Sequence, residues 1–253
     1  MDEEIMGTIY IMWLRELKRF WRSKARVIGS LAQPVLFLVA LGFGLGPIFQ
    51  QAGGGNYIEF LAPGIIGMSI LFSAMFMGIQ VIWDREFGFL KETLVAPVSR
   101  YRIMLGRTLG GATVASIQGL LVLAISMLIG FMPKSLVMIP VAVVFMFMIA
   151  VLFTALGTAI ASKLEDMQGF QLIINFVIMP LFFLSGALFP VDNLPNAFKV
   201  IIQIDPLSYG IDGLRAAFTG LAHLGLLLDL FVLASLTIIA TVIGSYLFSK
   251  IEV

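Results

Sequence analysis

Six stretches of this 253-residue chain are long and apolar enough to cross a membrane, at about residues 27–46, 58–83, 105–131, 136–161, 170–189 and 224–248. A helix rises about 1.5 Å per residue, so ~20 residues span the ~30 Å of hydrocarbon in a bilayer. None of the runs sustains the polar/apolar alternation of a barrel strand. In lipid a backbone outside a closed barrel can bond only to itself, which makes each run helical. Composition agrees: 60% of residues are apolar, where a soluble globule holds about 45–50%. The expected fold is an all-α integral membrane protein of six transmembrane helices in one domain, residues 1–253.

The cations give its direction. With the N-terminus inside, the inner segments hold Arg15, Lys18, Arg19, Arg22, Lys24, Arg26, Arg85, Lys91, Arg100, Arg102, Arg107, Lys163 and Lys250. The outer segments hold only Lys134, Lys199 and Arg215. The positive-inside rule then places both termini in the cytoplasm of a multi-pass protein of the cell (inner) membrane. Charges run through residues 1–26, so a cleavable leader is not expected there.

Three segments between the spans stand out. Residues 9–22 form an amphipathic helix, with Tyr10, Trp13, Leu14, Leu17, Phe20 and Trp21 in one arc and Arg15, Lys18, Arg19 and Arg22 opposite. That pattern predicts an interfacial helix, its aromatic residues in the membrane and its cations toward anionic headgroups, that orients the first span; a helix that also touches a cytoplasmic partner is the other reading. Residues 83–107 hold eight charged side chains among 25 residues. Here Trp83, Phe87, Leu90 and Leu94 share an arc, and Asp84, Glu86 and Glu92 stand beside Arg85 and Lys91. Pro97 ends the helix near Ala96. A lipid-binding helix would be mainly basic, whereas mixed signs suit a protein partner; a solvated helix without a partner is the other reading. The outer segment 190–220 is long and apolar, and Pro195 and Pro206 open two short helices at about 195–203 and 206–218. Too short to span, these would dip into the outer leaflet or cap the outer mouth, and Gly186 would soften the exit of span five.

Several chemistries are missing. Net charge is +1, which points to no nucleic-acid partner. There is no cysteine and a single histidine, His223, so thiolate and multi-histidine metal sites are excluded. The phosphate-binding pattern GxxxxGK[ST] is absent: 130-GFMPKS-135 lacks its second glycine, and 42-GFGLG-46 follows no strand. No cofactor site and no catalytic constellation are expected in this chain. Glu59 and Asp229 sit near the outer ends of their spans, and without a mid-span carboxylate a proton- or sodium-coupled carrier is disfavoured. Polar residues within spans are Gln33, Ser73, Gln80, Gln118, Ser126, Thr154, Asn175 and Ser185. Most would bridge helices; Gln118 and Asn175, the deepest, join Ser185 and Phe182 as candidates for a substrate path. Gly106 and Gly110 allow a close helix contact.

Two segments, 84-DREFGFLKETLVAPVSRYRIMLGR-107 and 184-LSGALFPVDNLPNAFKVIIQIDPLSYGIDGLR-215, resemble signatures of the membrane subunit of ABC type-2 exporters, and the order of segments matches over nearly the whole chain. The resemblance implies a permease dimer (homodimer or heterodimer) with two copies of a separate ABC ATPase subunit, which binds the ATP and Mg. Residues 1–26 become a connecting helix, 84–97 the coupling helix, and 190–220 the outer re-entrant pair. Asp84, Arg85, Glu86, Phe87, Leu90, Lys91, Glu92, Leu94 and Arg100 become ATPase-coupling residues that transmit force and catalyse nothing. The drug-efflux branch looks most similar around 84–107, which implies export of a hydrophobic or amphipathic compound. The alternatives are a polysaccharide or lipo-oligosaccharide exporter permease, and a secondary carrier working without an ATPase.

Overall fold

The computed structural model describes residues 2–53, 55–95, 98–164, 166–191 and 195–251, with the side chains of residues 2–5, 26 and 94 outside that description. Every regular element among these residues is helical. The order is α1 (Asp2–Arg22), α2 (Lys24–Gln51), α3 (Tyr57–Glu86), α4 (Phe89–Val95), α5 (Arg100–Ile129), a single 3₁₀ turn, α6 (Ile139–Ala161), α7 (Met167–Ile173), five residues of π-helix, α8 (Met179–Leu184), α9 (Asn196–Ile204), α10 (Pro206–Thr219) and α11 (Leu226–Ser249). Among the described residues six helices are long and apolar enough to cross a membrane: α2, α3, α5, α6, the continuous run Met167–Leu184 and α11. The chain is therefore a multi-pass membrane protein. The short helices read at 195–203 and 206–218 stand as α9 and α10.

Helix α3 is the centre. Of its most apolar window 78% is buried, against 17% for α2 and for α11, so those outer helices leave most of their apolar surface to lipid or to another chain. Helices α2, α5, α6 and α10 pack around α3, and α11 leans on α6. Small residues set these distances. A Cβ on Gly78 would run into the carbonyl of Gly157 on α6, backbone against backbone. Because neither helix can yield there, Gly78→Ala is expected to lower stability by ~1–3 kcal/mol. The midpoint of thermal unfolding in detergent checks this, and an unchanged midpoint would show that the two helices part freely.

Helix α1 corrects one expectation. Its inward line is Met12, Glu16 and Phe20, all buried, which overlaps only the edge of the apolar arc. The seat is α5: added Cβ atoms would meet Met12 Cβ at 2.7 Å from Gly106 and Glu16 Cβ at 2.8 Å from Gly110. Trp13 Nε1 donates to Thr113 Oγ1 at 3.0 Å. Tyr10 and Trp21 stay exposed. Arg15 and Arg19 do not point away toward headgroups as the helical wheel suggests; they fold over onto α3. The glycine pair lets α1 come close enough for them to reach it.

Candidate functional site

The charged segment 84–97 divides into a helix end, a turn and a short helix. Helix α3 continues through Glu86. At Gly88 the backbone has φ +77°, a left-handed conformation that costs glycine least, and the chain turns into α4. Ala96 and Pro97 lie outside the described residues.

Asp84 is 4% exposed and faces the bundle. Its Oδ2 accepts from Arg107 Nη1 at 2.7 Å and Arg15 Nη2 at 3.2 Å, and its Oδ1 lies 3.4 Å from Arg19 Nη1. One carboxylate thus ties α1 and α5 to the end of α3. Arg19 also donates to Gln80 Oε1 at 3.2 Å, and Arg15 to Glu16 at 3.0 Å. Arg85 turns the other way and donates to the carbonyls of Leu164 at 2.9 Å and Ser162 at 3.4 Å, anchoring the loop after α6. Arg100 likewise holds a chain end: its Nη1 donates to the carbonyls of Ser249 at 2.6 Å and Ile251 at 2.9 Å. These three charges hold helix ends in place. The residues that face outward are Glu86, Phe87, Lys91 and Glu92. With them Phe87, Phe89 and Val95 are 70%, 57% and 84% exposed, while Leu90 is fully buried and pins α4 to the bundle. Leu94 belongs to α4, with its side chain outside the described set.

The candidate path residues are not brought together. Gln118 lines a cavity of about 500 Å³ between the α1–α2 corner, α3 and α5. Gln33, Ser73 and Gln80 line it too, with Ser30, Ser69, Phe72, Phe76 and Trp83, so four of the eight intramembrane polar residues meet there. Asn175 lies in the π-helical turn Ile174–Ile178, is exposed and does not line the cavity, and accepts from Gln171 Nε2 at 3.2 Å. Phe182 is buried against Phe72, with ring centroids 6.4 Å apart. Ser185 Oγ is spent on the carbonyl of Phe182 at 2.7 Å.

The opposite end of the bundle holds buried charges as well. Asp212 accepts the N–H groups of His223 and Leu224, each at 2.9 Å. Arg215 donates to the carbonyl of Gly186 at 3.0 Å and lies 4.2 Å over the Phe60 ring; burial brings its pKa down to about 10. Asp229, in the first turn of α11, is fully buried. The sequence places it near a span end, and burial is what that reading missed. Asp205 caps α10 by accepting Leu207 N–H at 2.8 Å, and burial pushes its carboxyl up to about 7. Its unfolded value is about 3.9, so the folded state holds the proton more tightly. Stability is then greatest below pH ~4 and falls as pH rises from ~4 to about 7. Asp205→Asn keeps a capping oxygen and should flatten that slope, giving a protein more stable than the parent above pH 7. Thermal midpoints measured across pH check it.

Crossing helices, buried charges at both ends and a short exposed helix on a charged hub suit a polytopic permease. The chain belongs to the ABC-2 type transporter family, which matches residues 8–219 and whose permeases normally work with an ATPase subunit. It is similar to nodulation protein J of Rhizobium leguminosarum bv. viciae, 31% identical over 215 residues that cover 82% of each chain. It is also similar to the putative transport permease ycf38 of Porphyra purpurea, 29% identical over 85% of this chain and 75% of that one. The inner membrane transport permease YadH of Escherichia coli K12 is 29% identical over 83% of this chain and 82% of its own.

Proposed function

We propose that this chain is the membrane-spanning subunit of an ATP-driven exporter that moves a hydrophobic or amphipathic compound out of the cytoplasm. The observation that carries the reading is α4. It is a short helix outside the spans, pinned by Leu90 and presenting Phe89, Val95, Lys91 and Glu92 outward, with Phe87 exposed in the turn before it. Exposed large apolar groups beside both charge signs are what a docked protein surface covers. A separate ATPase subunit, two copies to a permease dimer, is that partner and holds the ATP and Mg. The α4 end and both termini are cytoplasmic, and the little-buried faces of α2, α11 and Met167–Leu184 supply the surface for a second permease copy. Helices α9 and α10 form a re-entrant cap at the outer face.

The amphipathic cavity supports the substrate class. Sites for small ligands hold about 300–1,000 Å³, and this one, at about 500 Å³, is lined by rings, amides and hydroxyls without a charge. A polysaccharide or lipo-oligosaccharide is the second reading, and the cavity suits it through a lipid part. The test is co-reconstitution with an ABC ATPase subunit that co-purifies with the chain. ATP-dependent export supports the proposal. Transport that runs on an ion gradient with the ATPase left out would replace it with a secondary carrier.

A further inference from the structure

Beside the cavity, between α1 and α4, lies a second recess of about 470 Å³. Arg15, Lys18, Arg19 and Arg22 line it, against two carboxylates, Asp84 and Glu92. Arg15 and Arg19 share Asp84 with Arg107, and Arg15 also meets Glu16, so the surplus of positive charge in the recess falls on Lys18 and Arg22. Lys18 and Arg22 are exposed, and Arg15 Nε is buried without a hydrogen-bond partner among the described residues. Recess and cavity meet at a hydrogen bond: Arg19, which lines the recess, donates to Gln80 Oε1, which lines the cavity, at 3.2 Å.

We propose that cavity and recess form one binding site for an anionic amphiphile, its acyl chain in the cavity and its headgroup among Arg15, Lys18, Arg19 and Arg22. Three observations converge on that ligand. Along α3 the lining runs from Met68 to Trp83, about 22 Å at the helical rise, which accommodates a chain crossing one leaflet of ~15 Å. Exposed Tyr10 and Trp21 on α1 set the recess at headgroup level, where such rings anchor. Guanidinium groups match phosphate or carboxylate oxygens in pairs, whereas a cationic compound is repelled and a neutral one leaves the surplus charge unanswered. The site deepens the substrate reading above, and its importance for transport rests on that reading; binding itself is measured without ATP, so either can fail alone.

The test uses the full chain with Trp13→Phe and Trp21→Phe, which leaves Trp83 as its one tryptophan. The protein is placed in phosphatidylcholine vesicles with small amounts of phosphatidylglycerol or phosphatidylcholine carrying brominated chains. Trp83 is expected to be quenched at much lower mole fractions of the brominated phosphatidylglycerol. Lys18→Ala with Arg22→Ala should lower that preference by about 30-fold, roughly fivefold per cation. Gly29→Phe fills the cavity from a wall position with nothing within 4 Å and should remove the quenching. Equal quenching by both lipids overturns the proposal, as does quenching that survives Gly29→Phe. Displacement by inorganic phosphate would mean a free-anion site, and loss of the lipid preference on adding the ATPase would give the recess to that protein. Either result overturns the proposal too.

Discussion

Asp84→Asn should be among the most damaging single changes to the fold. The carboxylate is nearly buried and faces three guanidinium groups, with Arg107 at 2.7 Å and Arg15 at 3.2 Å. Arg107 is itself only 4% exposed. Removing the negative charge leaves a buried cation beside two others, a change that costs ~3–5 kcal/mol. The loss should be felt first in α1, which has no partner as extensive as α5 and whose Arg15 and Arg19 end on Asp84. We expect a lower midpoint of thermal unfolding in detergent and red-shifted tryptophan emission as Trp13 leaves Thr113. Combining Asp84→Asn with Arg107→Met should recover part of the stability, because a neutral pair leaves no stranded charge. A single variant as stable as the parent would show that the hub holds nothing together.

That hub was only half visible in the sequence. Charge counting isolates residues 83–107, and the glycine pair 106 and 110 marks a close contact. Neither says that α3 runs on to Glu86, which turns Asp84 inward and Arg85 toward the loop after α6. Helical periodicity assigns faces relative to a single axis. It cannot assign Arg15 and Arg19 to a carboxylate 69 and 65 residues away. The six spans were legible to within a few residues because hydrophobic length is a one-dimensional property. Which way a span faces is not one-dimensional. Gln118 and Asn175 lie equally deep in apolar sequence, yet one lines the cavity and the other is exposed outside it. A helix apolar all round carries almost no moment to report its orientation. The cavity itself collects Gln33, Ser73, Gln80 and Gln118 from three helices, and such a gathering exists only once the helices have packed.

Charge reversal on α4 should abolish transport while leaving the protein folded. Lys91→Glu acts on an exposed side chain, and Glu92→Lys on an exposed one at the edge of the recess, so neither empties a buried position. If α4 seats in an ATPase cleft, each reversal sets like charges against each other at the contact. A penalty of ~2–5 kcal/mol weakens docking by about 30-fold or more. ATPase co-purification and ATP-dependent transport should fall together, with unfolding midpoints unchanged. Arg85→Glu should behave differently. It removes the donors to Leu164 and Ser162 at 2.9 and 3.4 Å, so stability falls along with transport. Leu90→Ala, which empties a fully buried position, should resemble Arg85→Glu. The separation of these two classes is the informative result: outward charges that control docking alone, and inward residues that hold the docking helix in place. Normal transport in both Lys91→Glu and Glu92→Lys would remove α4 from the coupling path, whatever the behaviour of Arg85.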